Sequence, residues 1–155
     1  MSLKNRKAFT MIELIFVIVI IGILAAVAIP KLTAARDDAE ASSCVYEVGQ
    51  LLDEIAAKYA KVGNAAFITA TVSTMTNIDI MGGTKGIKAD TKVDTVGIIY
   101  RCGGEDIVTI VGNNASGEYN LTVTVTAGTT PVAQMASEGI INNVIGGSSP
   151  KIFEL

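Results

Sequence analysis

The sequence predicts an α+β protein in which one long N-terminal helix packs on a small antiparallel sheet. Three observations carry that prediction. An unbroken apolar run from Phe9 to Ile29 leads without a turn into apolar residues spaced by three and four; the period changes to two after Asp94; and Gly103-Gly104 separates two alternating segments. At 155 residues the chain holds a helix and one modest domain, since domains usually contain about 100–150 residues.

From Phe9 to Ile29 every residue except Thr10 and Glu13 is apolar or glycine. As a helix the run is about 30 Å long, enough to cross a bilayer. The leader Met1–Ala8 carries Lys4, Arg6 and Lys7, and no acidic residue precedes Glu13, which marks a cytoplasmic flank. A carboxylate inside such a segment is a functional clue that calls for a partner, and its place in the first turn suits the helix dipole. Gly22 and Pro30 are the points where the helix is expected to kink or melt locally, through backbone freedom and a deleted hydrogen bond; membrane helices also tolerate both residues unchanged.

After Pro30 the chain continues helically to about Lys61, some 80 Å from Phe9 if unbroken. Cys44, Val48, Leu51, Leu52, Ile55, Tyr59 and Val62 recur on one face, with Glu40, Glu47, Asp53, Glu54 and Lys58 opposite. Val48, Leu52, Ile55 and Tyr59 are expected to hold the helix on the sheet. Residues 63–94 read as a long loop with one short element near Ala70–Met75. Three strands then form a meander: Val96, Ile98, Tyr100 and Cys102 alternate inward; a Gly103-Gly104 hairpin turn leads to Asp106–Val111; and a loop over Gly112–Gly117 leads to Tyr119–Thr126. Thr130-Pro131 reads as an N-cap and first helical position, Val132, Met135, Ala136, Ile140 and Val144 as the apolar face of a short helix, and Gly146-Gly147 as its end. Lys151–Leu155 has the composition of a last edge strand.

The chain therefore divides into a leader (1–8), an apolar helix (9–29) and an amphipathic helix with its sheet domain (30–155). The formal charge is −3; without the leader, nine basic side chains face fifteen acidic ones, giving −6. That balance argues against binding nucleic acid or anionic membranes through overall charge. The lysines at 85, 88 and 92 are interspersed with Asp90 and Asp94 and read as a solvated loop rather than a DNA contact. Histidine and tryptophan are absent, which removes the commonest general base and zinc ligand; no enzyme, cofactor or metal site is expected. Asp37-Asp38-Glu40 and Glu105-Asp106 lack the alternating ligand spacing of a calcium loop and read as solvated faces. Cys44 and Cys102 both follow the apolar run, on its exported side, where a disulfide is permitted. They lie on faces that should meet, either as a bridge stapling helix to strand or as two buried thiols.

A basic leader, a small residue, Phe-Thr-Met-Ile-Glu, an apolar segment of membrane length, proline, an amphipathic continuation and a small sheet together resemble the type IV pilin and pseudopilin family. The specific part of the match covers Lys7 to Pro30. The resemblance implies a pilin-like fold, cleavage between Ala8 and Phe9 by a prepilin peptidase, and N-methylation of the new terminus at Phe9. Ala8 stands where the family usually has glycine. Glu13 matches the glutamate thought to pair with the amino terminus of a neighbouring subunit, making Phe9 and Glu13 the assembly residues. The implied partners are further copies of the chain in a helical filament, the peptidase, the inner-membrane assembly platform with its ATPase, and the membrane before assembly. The implied location is the bacterial inner membrane, then an extracellular pilus for adhesion, motility or DNA uptake, or a periplasmic pseudopilus of type II secretion. The calcium site that major pseudopilins carry near their carboxyl end has only Glu154 to match it. A conventional signal peptide cut after Ala26-Val27-Ala28 is the rival reading; against it stand the length of the apolar run, Glu13, and the helix continuing past the supposed cut.

Overall fold

The computed structural model describes residues 9–80, 83–94, 97–115 and 118–155. The leader with Ala8, and Val96 of the first predicted strand, lie outside the described residues. The chain divides into two units, one ending at Arg36 and the other running from Asp37 to Leu155.

In the first unit the backbone is helical from Met11, as the start of α1 (Met11–Phe67). Its most apolar 18-residue window has a mean hydropathy of 3.1 and none of it is buried. The helix is long and apolar enough to cross a membrane. Phe16, Ile20, Leu24 and Ile29 are all exposed, so the segment has no inward face of its own. Gly22 and Pro30 both lie within continuous helix.

In the second unit α1 buries Ala41, Cys44, Val48, Leu51 and Ile55, one residue per turn on the predicted stripe. Leu51 is the fully covered member of its pair, with Leu52 partly buried beside it. The helix runs beyond Lys61 because it bends instead of ending. Gly63 takes φ 70°, ψ 169°, and the chain resumes as helix to Phe67. A left-handed φ is available to glycine at no steric cost, and the bend delivers Phe67 into the core. There its ring meets Tyr119 edge-on at 5.0 Å and Tyr59 at 5.3 Å.

The long segment after α1 contains a 3₁₀ turn at Val72–Thr74 and a two-residue strand, β1 (Gly86–Ile87). The sheet has five strands rather than the three that alternation marked. The order is β1, β2 (Ile98–Cys102), β3 (Glu105–Ala115), β4 (Glu118–Val125), β5 (Lys151–Glu154), with every neighbouring pair antiparallel. Gly103 and Gly104 both have positive φ and join β2 to β3, as a two-residue hairpin turn requires. A register shift after Tyr100 leaves Ile107 and Val108 both buried; an extra residue in one strand does this by moving successive side chains to one face.

The loop expected over Gly112–Gly117 is instead mostly strand, with Gly112 paired to Leu121 and Asn114 to Tyr119. Gly112 is needed there because a Cβ would collide with the Tyr119 hydroxyl. The second helix, α2 (Pro131–Asn143), starts at Thr130, whose hydroxyl accepts from the Ala133 amide. It buries Ala133, Ala136, Ser137 and Ile140, while Val132, Met135 and Val144 are partly covered.

Candidate assembly site

The first turn of α1 contains a reciprocal cap. Thr10 precedes the helix and Glu13 is its third residue, the spacing of a capping box. The Thr10 amide donates to Glu13 Oε2 at 2.8 Å, the Thr10 hydroxyl donates to the same oxygen at 2.8 Å, and the Glu13 amide donates back to Thr10 Oγ1 at 3.3 Å. Two otherwise unpaired amides are thereby satisfied, and the carboxylate is fixed at the positive end of the helix dipole. Phe9, Ile12, Phe16 and Val17 surround it in a shallow apolar cleft. Phe9 is 90% exposed. The structure thus sets Phe9 and Glu13 side by side, and adds Thr10, whose role was legible in the spacing of threonine and glutamate but obscured by the charge itself.

Cys44 and Cys102 are joined, with their Cα atoms 6.2 Å apart and the sulfurs at 2.03 Å. Beside the bridge lies a polar group that helix periodicity did not reveal. Tyr100, fully buried on β2, donates its hydroxyl to Glu47 Oε2 on α1 at 2.7 Å. Lys85 pairs with the other Glu47 oxygen and donates to Ser43 Oγ at 3.0 Å. Burial and the neighbouring carboxylate push the Tyr100 hydroxyl upward in pKa, so it remains a donor. The disulfide and this network clamp helix and sheet at successive turns of α1.

The charged loops are likewise engaged within the fold. Lys88 and Arg101 both hold Asp106, at 2.6 and 2.9 Å, and keep its carboxyl below the usual range, Lys88 contributing most. Glu105 accepts from the Thr129 amide and hydroxyl and from the Thr130 amide. These donors, led by the Thr129 amide, lower its pKa to about 2. Glu105 therefore ties the β2–β3 turn to the start of α2. Asp94 accepts from the buried Tyr119 hydroxyl, and desolvation raises its pKa. Among the described residues no group of His, Cys, Asp or Glu is arranged to hold a metal ion.

Residues 3–29 match the family model described as the prokaryotic N-terminal methylation motif. The chain is also 34% identical over 116 residues to the type IV major fimbrial protein FimA of Dichelobacter nodosus, a match covering 72% of this chain and 74% of that protein. The chain belongs to the type IV pilin family. A second relative, the type IV wide pilus major component PilA4 of Thermus thermophilus, is 65% identical over 34 residues, 22% of this pilin and 26% of PilA4. No solved structure matches this pilin. Family membership and the exposed apolar helix fit a membrane-anchored precursor and a filament of like subunits.

Proposed function

We propose that this pilin is the structural subunit of a type IV pilus, made as a precursor that prepilin peptidase cuts between Ala8 and Phe9 and that carries a methylated Phe9 in the mature form. The observation that carries the reading is an apolar helix exposed around its circumference and bearing a single carboxylate, Glu13, one turn from Phe9. Such a helix is at home in lipid as a monomer. It leaves lipid only when its faces are covered by other helices, so the membrane anchor becomes the filament core. A contact that repeats without closing builds a helical fibre.

In that core the amine created by cleavage is a buried charge that demands a partner. Glu13 supplies one. Thr10 occupies Oε2, and Oε1 has no hydrogen-bond partner among the described residues, leaving a lone pair for a neighbour's amino terminus. Gly22 and Pro30 give the helix room to adjust during packing. Both relatives are pilus proteins by name, a major fimbrial protein and a wide pilus major component, which supports a pilus over a secretion pseudopilus. The partners on this reading are the peptidase, the inner-membrane platform and its ATPase. Replacing Glu13 with Gln tests the central step. Processing and membrane insertion are expected to continue while filament yield falls at least tenfold, and undiminished filaments overturn the pairing role.

A further inference from the structure

The sheet has a second face that the assembly reading leaves unused. Tyr100 and Cys102 of β2 point at α1, where they meet Glu47 and Cys44, so the residues that alternate with them point away. Register lines those outward residues up in rows across the sheet: Ile99, Thr109 and Thr124 in one, Val111, Thr122 and Ile152 in the next. Val111 is 38% exposed and Ile152 60%. Neither row holds a charged side chain, although residues 9–155 carry fifteen acidic side chains against nine basic ones. A neutral surface of β-branched side chains on so acidic a chain has the composition of the centre of an interface, where charge is depleted.

The charges stand at two diagonally opposite corners of this face. At one, Lys88 and Arg101 share the single carboxylate of Asp106, which leaves one positive charge in excess. At the other, Glu154 on β5 lies opposite Asn120. Glu154 is exposed and forms no ion pair among the described residues. The corners are about 20 Å apart along the strands and about 14 Å across them.

We infer that this face docks on the same face of a second copy of the chain, one that belongs to another filament. A twofold axis in the plane of contact that exchanges the two corners sets Glu154 of each copy over the Lys88 and Arg101 corner of the other. The neutral rows then meet in the middle, and the strands of the two sheets cross at a steep angle, as in orthogonal sheet packing. Such a contact is self-complementary, whereas contacts inside a helical filament are heterologous and repeat by rotation and translation. It therefore joins subunits of separate filaments. The inference rests on the filament reading, and the size of the face fits the role. A face of about 14 by 20 Å offers about 300 Å², well short of the about 800 Å² per partner of a stable complex. One pair of subunits does not hold, but many pairs along two filaments act together as a multivalent contact.

The test uses filaments of the full chain, sheared from the producing cell, purified and returned to low salt. Side-by-side association is scored by electron microscopy and by the fraction that sediments at low speed. If the parental chain yields no filaments, the filament reading itself fails before the face is tested. Purified parental filaments are expected to associate without any added component, and filaments that stay single overturn the inference. Thr124→Lys places a charge in the neutral rows at an exposed position. Filament yield is expected within twofold of the parent, which reports an intact subunit, while the associated fraction falls at least fivefold; parental association in this variant overturns the face as the docking surface. Glu154→Lys and Lys88→Glu are each expected to lower association at least threefold, and the double exchange to restore it to within twofold of the parent. Single charge variants without effect, or a double exchange no better than either single, overturn the pairing of the corners.

Discussion

Removing the Cys44–Cys102 bridge is the perturbation whose size follows most directly from the structure. The bridge joins residues 58 apart in sequence, and closing a loop of that length in the unfolded chain stabilises the fold by about 4 kcal/mol in the chain-entropy model. Both cysteines are fully buried, so Cys44→Ala/Cys102→Ala also removes two packed sulfur atoms and loses somewhat more than reduction alone. Against a typical domain stability of about 5–15 kcal/mol, the loss is a large share. The assay is urea unfolding of the full chain in detergent micelles, followed by tyrosine fluorescence from Tyr59, Tyr100 and Tyr119, with oxidised, reduced and double-alanine samples compared. With an m-value of about 2 kcal/mol/M, the midpoint is expected to fall by about 2 M on reduction and slightly further in the double variant. A fall of less than about 0.5 M in both, at unchanged m, would refute the staple as a main support of the helix on the sheet.

Acid unfolding tests Glu105. Its folded pKa of about 2 lies below the ordinary glutamate value of 4.5, so its stabilisation is present above about pH 4.5 and is lost as pH falls toward 2. In Glu105→Gln, unfolding midpoints measured from pH 6 to pH 2 should change less steeply than in the parent. Gly97→Ala should destabilise by at least about 1–2 kcal/mol, the cost of its left-handed backbone, since φ is 79° and a Cβ would in addition sit 2.7 Å from the Ile110 carbonyl oxygen; a neutral effect in urea unfolding contradicts this backbone conformation. Leu51→Ala, fully buried on α1, should lose about 2–5 kcal/mol. Tyr46→Ala, at a side chain 73% exposed, should stay within about 0.5 kcal/mol, and equal losses at these two positions would contradict the helix face.

The parts of the fold legible in the sequence were those set by local periodicity. Cys44, Val48 and Ile55 announced the buried face of α1 by spacing, Gly103-Gly104 announced a turn that only paired positive φ values satisfy, and Thr130-Pro131 announced the start of α2. What periodicity missed was decided by tertiary contact. Phe67 enters the core because Gly63 bends the chain, and one glycine in a polar stretch does not say whether a helix ends or turns. Gly112, Asn113 and Asn114 have loop composition, yet they pair with Leu121, Asn120 and Tyr119 of β4, and the missing side chain at Gly112 leaves room for the Tyr119 hydroxyl. β1 is two residues long and has no pattern to read.

At the assembly site the charge of Glu13 stood out in the sequence while its cap did not. An isolated carboxylate in an apolar run directs attention to a partner in another molecule. The nearer partner, Thr10, occupies one oxygen within the same turn. The Glu47, Tyr100 and Lys85 group was out of reach for another reason: its members are far apart in sequence, and each reads singly as a surface or core residue.

The central claim is that this pilin is matured at Ala8/Phe9 and built into a filament through the helix that begins there. Intact-mass and N-terminal peptide analysis of filaments sheared from the cell surface tests it most directly. The expected subunit lacks Met1–Ala8 and begins at Phe9 carrying one methyl group on its amino nitrogen. Filaments that do not contain this chain, or a mature chain that begins at Met1 or at Ile29, would contradict the account.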